Sequence, residues 1–348
     1  MLSLLRRTKT ICLLNAIVLG VASAGAQIPA PHEDAALDRQ IQSIAAAHHG
    51  CVALYARNLK TGQTASLSPD LPVKTASTIK MGILLDAAGQ IHSGHATLAE
   101  RLVLTKDNQV EGSGVLGQLT PPIALTLGDI LTLMVVLSDN SAANMAIDRL
   151  GLEHINSTLR AAGLRQTVLY KKVHVPANGP MPADQPLFGL GKTTPREMAS
   201  IMERFATCNL DLESPASKAQ LAVPQVPPQA QVLCGAILHM LRNQQDRESL
   251  PRYIESMDTS EHGSAIANKT GALDQVRNDV ALISTKNGPV VIAGFTFDNA
   301  DQRWNGDNEG EQTLARLAQA IVQAWSPAGL DPQAMNWDHP GTIASPSP

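Results

Sequence analysis

The sequence predicts an α/β (α+β) protein in which an antiparallel sheet is flanked by N- and C-terminal helices and interrupted by an inserted all-helical domain. Three observations lead there. Strand-like segments lie at both ends of the folded region, the middle of the chain carries helical periodicity, and the chain closes on a hairpin and a long helix. Residues 34–48 read as an amphipathic helix stopped by Gly50, and 51–57 as a strand turned by Lys60-Thr61-Gly62 into 64–67. A helix is expected from Ser77 to about Ala88, then helices over 96–104, 127–137, 141–150, 152–162 and 194–207. Thr194-Pro195-Arg196-Glu197 marks the start of the last, with threonine as the N-cap and proline in the first turn. Residues 168–193 read as a long irregular loop and 214–229 as a proline-rich excursion. Strands return at 265–269, 278–285 and 290–297, the last two joined through Asn287-Gly288, before a helix over 311–325. The expected organisation is a leader over 1–26, a folded unit over 33–326 and a flexible tail over 327–348. Within that unit, 33–72 and 235–326 form the α/β part and 73–234 the helical part.

Composition excludes several classes. The 348 residues are 44% hydrophobic and 17% charged, enough apolar material for one large unit or two intimately packed ones and too much for disorder. Lys plus Arg number 27 against 31 Asp plus Glu, and no basic run stands out, which argues against nucleic acid or anionic lipid as a partner. Arg6, Arg7 and Lys9 precede an apolar stretch over 11–24, and Ala24-Gly25-Ala26 fits a signal-peptidase site before Gln27. A periplasmic or secreted protein, monomeric and not inserted in the membrane after leader removal, is expected. Three cysteines would remain, and Cys208 with Cys234 can either pair or stay as buried thiols. The histidines lack metal-ligand spacing, so neither metal nor cofactor is expected.

Three short motifs carry the chemistry. Ser77-Thr78-Ile79-Lys80 places an amine three residues after a hydroxyl, on one helical face, where a lysine kept neutral by its surroundings can activate a serine. Ser138-Asp139-Asn140 follows 61 residues later between helical segments, offering a hydroxyl for proton relay and an amide for substrate. Lys269-Thr270-Gly271 comes 131 residues further on at a strand end, with a cation, a hydroxyl and room for close backbone approach. Each is cheap alone; the same tripeptide at 60–62 precedes the serine and sits in a turn.

Together, in this order and context, the motifs resemble those of the serine penicillin-recognising enzymes, class A β-lactamases in particular. The stretches 138–144, Thr193-Thr194-Pro195, 269–272 and 276–283 strengthen the likeness, which covers about residues 33–326. The resemblance implies a β-lactamase/transpeptidase-like fold and a small-molecule β-lactam or peptidoglycan-like substrate. It further implies Ser77 as the acylated nucleophile, Lys80 as its proton acceptor and Ser138 as the donor to the leaving nitrogen. Asn140 would bind the substrate's side-chain amide, Lys269, Thr270 and Gly271 its carboxylate end, and the backbone N–H groups of Ser77 and Ala272 the oxyanion.

The sequence departs from class A in the loop before Thr194. That family carries a glutamate there to activate the deacylating water, and here 168–184 contains none. His174 and Asn178 keep the four-residue separation of the family's glutamate and asparagine, so His174 is the candidate water base, with Asp184 second. Lys171-Lys172 resemble a basic pair of a divergent branch of β-lactamase-like hydrolases. A serine β-lactamase is the first reading; a D,D-peptidase or other serine acyl hydrolase, or a β-lactam-binding protein acylated without fast turnover, are the alternatives.

Overall fold

The computed structural model describes residues 29–177, 179–210, 227–255 and 264–340. The leader, Asn178 and most of the 214–229 excursion therefore lie outside the described residues.

Six strands form the sheet that organises the molecule: β1 (His32–Glu33), β2 (Cys51–Asn58), β3 (Gln63–Leu67), β9 (Ile266–Leu273), β10 (Val276–Ile283) and β11 (Val290–Phe297). They lie in the order β1-β3-β2-β11-β10-β9. All neighbours pair antiparallel except β1 with β3. The period-two alternation sorts side chains between two cores. Leu54, Ala56, Ile292 and Ile283 face helices α1 (Ala35–Ala46) and α9 (Glu309–Trp325) through Leu37, Ile41, Leu314, Leu317 and Trp325. Ala53, Tyr55, Val280, Leu282 and Ala293 face the larger helical core. That core includes α2 (Lys80–His92), α3 (Leu127–Val136), α4 (Asn140–Leu150), α5 (Leu152–Ala161), α7 (Pro195–Thr207) and α8 (Pro228–Arg242). On β9 the alternation puts Ala267 in the helical core and Ile266 in the other. By the same period Lys269 and Gly271 face the helices, at the sheet's edge.

The helices follow their sequence signals where caps are present. Thr126 accepts from Asp129 N and starts α3, Asp139 accepts from Ala142 N and starts α4, and Thr194 accepts from Glu197 N and starts α7. Glu197 itself turns away from the reciprocal bond and accepts from Gln166 N and Thr167 Oγ1.

Several expectations are corrected. The helix expected over 96–104 ends in strand β5 (Arg101–Leu104), paired with β6 (Ile123–Thr126), because only Leu104 is buried there and the register to β6 supplies the backbone partners. The 168–193 loop contains β7 (Val168–Leu169), β8 (Gly191–Thr193) and the short α6 (Gln185–Phe188); β4 (Val73–Lys74), β8 and β7 form a small sheet. Helix α8 begins among the prolines of the expected excursion, and the 234/235 dividing line falls inside it. The tail is packed over 327–340. Met335 and Trp337 are buried in the helical core, the Arg242 guanidinium stacks on Trp337 at 4.5 Å, and the Asp338 backbone crosses Gly235 where a Cβ would not fit. Cys208 and Cys234 form a disulfide joining the end of α7 to α8, and Cys51 is free and exposed.

Candidate active site

Ser77 lies in a 3-10 turn, Ala76–Ile79, that leads without a break into α2, so Lys80 opens the α-helix. Ala76 holds a left-handed φ of 45°. Among the described residues the Ser77 hydroxyl has no protein hydrogen-bond partner. Gly271 of β9 packs onto this turn: a Cβ there would come within 2.9 Å of Ser77 N and 2.8 Å of Thr78 N. Only glycine lets the edge strand approach so closely at this point.

Lys80 has no exposed surface. Its Nζ donates to Ser138 O at 2.5 Å, to Asn140 Oδ1 at 2.9 Å and to Ser138 Oγ at 3.2 Å. Burial, then repulsion from Lys269, holds its proton affinity well below that of an ordinary lysine, against a weaker pull from Asp139. Lys269, equally buried, donates to Ser138 Oγ at 3.0 Å and to Thr270 O at 2.7 Å. Burial brings it down to about 8, with Asp246 and Asp279 opposing the fall. Ser138 Oγ thus sits between two amines. Of the two, Lys80 has Asp139 beside it, whereas two carboxylates, Asp246 and Asp279, support the charge on Lys269. Asp279, behind it on the opposite face of the sheet, is raised to about 7 by burial despite accepting from Asn268 and Leu250 N.

The short motif between α3 and α4 is held from below. Ser138 adopts a left-handed φ of 54°, and Asp139, fully buried, caps α4 while accepting Val115 N at 2.7 Å and Leu116 N at 2.8 Å. Asn140 Nδ2 donates to Glu111 O at 3.1 Å, which leaves its second N–H for a ligand. Thr270 is buried and its hydroxyl has no protein partner among the described residues.

The loop carrying His174 is fixed one residue earlier. Buried Asn144 of α4 donates to Val173 O at 3.0 Å and accepts from Val173 N at 2.8 Å. His174 follows at φ 53°, exposed, with no hydrogen-bond partner among the described residues. Its Nε2 lies 3.2 Å from where a Cβ of Gly112 would be, and Asn140 Nδ2 lies 2.6 Å from that point, so the imidazole stands beside the Asn140 amide. Asp184 is half-exposed and paired with Lys192 at 2.6 Å, and Lys172 pairs with Asp148 at 2.9 Å.

The fold therefore brings Ser77, Lys80, Ser138, Asn140, Lys269, Gly271 and His174 together and leaves Asp184 apart. Sequence reasoning missed Ser113, whose Oγ donates to Ser138 O at 3.0 Å, and the clamp by Asn144. A signal existed for the first: Gly112-Ser113-Gly114 breaks all periodicity, and both glycines hold positive φ, 97° and 103°.

The beta-lactamase enzyme family profile matches residues 36–223 and 229–325. A β-lactamase from Sphaerobacter thermophilus superposes with a TM-score of 0.66 at 28% identity, over 82% of this chain and 95% of that one. A point variant of PBP-A, an acyl-enzyme complex with penicillin G, does so at 0.66 and 25%, over 85% and 98%. The class A β-lactamase of Mycobacterium abscessus shares the fold at 0.65 and 20%, over 83% and 98%. A comparison with curated protein sequences finds no match. The profile spans well over half of the chain in an unbroken order that takes in all three motifs: the chain belongs to the beta-lactamase enzyme family, of the class A-like serine type.

Proposed function

We propose that the protein is a serine β-lactamase that opens the β-lactam amide through an acyl-enzyme on Ser77. The observation that carries this reading is the wholly buried Lys80 amine at the base of the Ser77 turn, with Ser138 Oγ bridging it to Lys269. Lys80 accepts the Ser77 proton as Ser77 Oγ bonds to the lactam carbonyl carbon. The N–H groups of Ser77 and Ala272 receive the developing oxyanion, a contribution of about 3–4 kcal/mol per donor in comparable enzymes. The C–N bond then breaks, and Ser138 delivers a proton to the departing nitrogen while Lys80 replenishes Ser138. Lys269 and Thr270 hold the substrate carboxylate, and the free N–H of Asn140 meets the side-chain amide. In deacylation His174 takes a proton from water attacking the acyl carbon, the Ser77 Oγ–acyl bond breaks, and the proton passes to the departing Ser77 Oγ. The leader expected from the sequence supports an activity in the periplasm or outside the cell, and the reading takes the protein as a monomer acting on a small-molecule substrate. A relative at 25% identity characterised as a penicillin G acyl-enzyme supports the acylation half.

One observation favours a second reading, an acylating protein that turns over slowly. The backbone position held by Asn144 carries apolar Val173, and His174 beside it is exposed and unpartnered among the described residues. Time-resolved intact mass of the protein mixed with a chromogenic cephalosporin separates the two. Sustained colour with a fleeting adduct on Ser77 supports hydrolysis. A persistent adduct with one equivalent of colour supports the slow acylator, and neither adduct nor colour overturns both.

A further inference from the structure

The loop over 111–116 places a hydroxyl that belongs to none of the three motifs inside the hydrogen-bond network of Lys80. Ser113 Oγ donates to Ser138 O at 3.0 Å and lies 3.5 Å from Asn140 Oδ1. These are the two oxygens that accept from Lys80 Nζ at 2.5 and 2.9 Å. The loop is tied down on both sides of the serine. Before it, Asn140 Nδ2 donates to Glu111 O at 3.1 Å; at and after it, Asn140 N donates to Ser113 O at 3.0 Å and the Asp139 carboxylate accepts from Val115 N and Leu116 N. A Cβ at position 114 would overlap Asp139 at 2.2 Å, so the close seat of the loop on α4 depends on glycine there.

A hydroxyl proton turned toward an oxygen weakens that oxygen as an acceptor for a neighbouring ammonium and sets a partial positive charge beside it. Both effects favour the neutral amine. The charged groups facing Lys80 are Lys269 from β9, which acts in the same direction, and Asp139 from the start of α4, which opposes it. Asp246 and Asp279 face Lys269 and help keep the charge on that lysine.

We propose that Ser113 is a positioning residue that keeps the Lys80 amine in its proton-accepting form by donating to Ser138 O, beside Asn140 Oδ1, so that this carbonyl no longer serves the ammonium alone. This rests on Lys80 being the acceptor of the Ser77 proton. In that step the Ser77 O–H bond breaks, its proton passes to the Lys80 lone pair and the Ser77 Oγ–acyl bond forms; Ser113 is unchanged throughout.

The test compares the full chain with Ser113→Ala and Ser113→Thr. Carbon NMR of labelled lysine side chains follows the Lys80 titration directly, the signal being assigned by its loss in Lys80→Arg. Acylation by penicillin, read by mass across pH, follows the consequence. Ser113→Ala is expected to raise the Lys80 midpoint by about 0.7 pH unit and to slow acylation about fivefold on the acid limb, with an unchanged alkaline plateau. Ser113→Thr, which keeps the hydroxyl, is expected to restore both. An unmoved midpoint in Ser113→Ala overturns the proposal, as does a rate lowered equally at every pH or a threonine that fails to restore. Should the parent chain form no adduct at any pH, the β-lactam reading falls while the titration still decides the role of Ser113.

Discussion

The two sides of the cleft are built to different standards. On the side formed by α2, the start of α4 and β9, Lys80 and Lys269 are wholly buried, and each finds two or more oxygen partners within 3.2 Å. Burying two amines a hydroxyl apart is costly unless their partners are fixed, so this geometry is over-determined. On the side formed by the loop through Val173 and His174, one asparagine clamps the backbone, and the adjoining imidazole is left exposed in a strained conformation. The difference teaches that the two amines proposed for acylation, with Ser138 between them, are locked, whereas the group proposed for deacylation has only its backbone in place.

Four substitutions test that contrast, in falling order of expected effect. Ser77→Ala removes the proposed nucleophile and should lower β-lactam hydrolysis by at least about 10⁴-fold, with no adduct by mass; retained activity breaks the assignment of the locked side. His174→Ala should slow deacylation about 10²-fold and leave acylation intact, so that adduct accumulates in pre-steady-state traces. A variant that loses acylation to the same degree would contradict the role given to His174. Lys269→Ala should weaken substrates bearing a carboxylate by about 10- to 100-fold more than matched substrates without one. The same anchor gives a pH signature. Because Lys269 titrates at about 8, its cation is present below that pH and lost above it, so KM for carboxylate substrates should rise on the alkaline side while the matched substrates stay level. The smallest effect is expected from Asn144→Ala, which leaves the Val173 N–H and C=O unpaired. It should destabilise the fold by about 2 kcal/mol in denaturant titration and change deacylation more than acylation.

The locked side is largely legible in the sequence because its chemistry is tied to chain geometry. Ser77 and Lys80 are three residues apart on one turn, and Gly271 follows Lys269 in the alternation of one strand, so each motif carries its own local frame. What surrounds them is not legible. The strand at 101–104 reads as a helix because four residues with one buried leucine have too short a pattern, and only pairing with 123–126 settles it. The glycines flanking Ser113 mark an unusual turn, but its role is not legible because that comes from contacts with Ser138 and Asn140, more than twenty residues away in sequence. The tail reads as loose from its prolines and serines, yet Trp337 finds Arg242 and a place in the core.

The sequence by itself determined the α/β plan, the start of α7, the closing hairpin and helix, and the three motifs in order, since period, capping chemistry and short spacings are local properties of the chain. Only the tertiary structure decided that Ser138 Oγ stands between two buried amines, that burial lowers the proton affinity of Lys80, that His174 lies beside Asn140 and that Cys208 joins Cys234. Burial and cross-element distance set these features. Both arise only when segments far apart in sequence are packed against one another, which no single stretch of residues encodes.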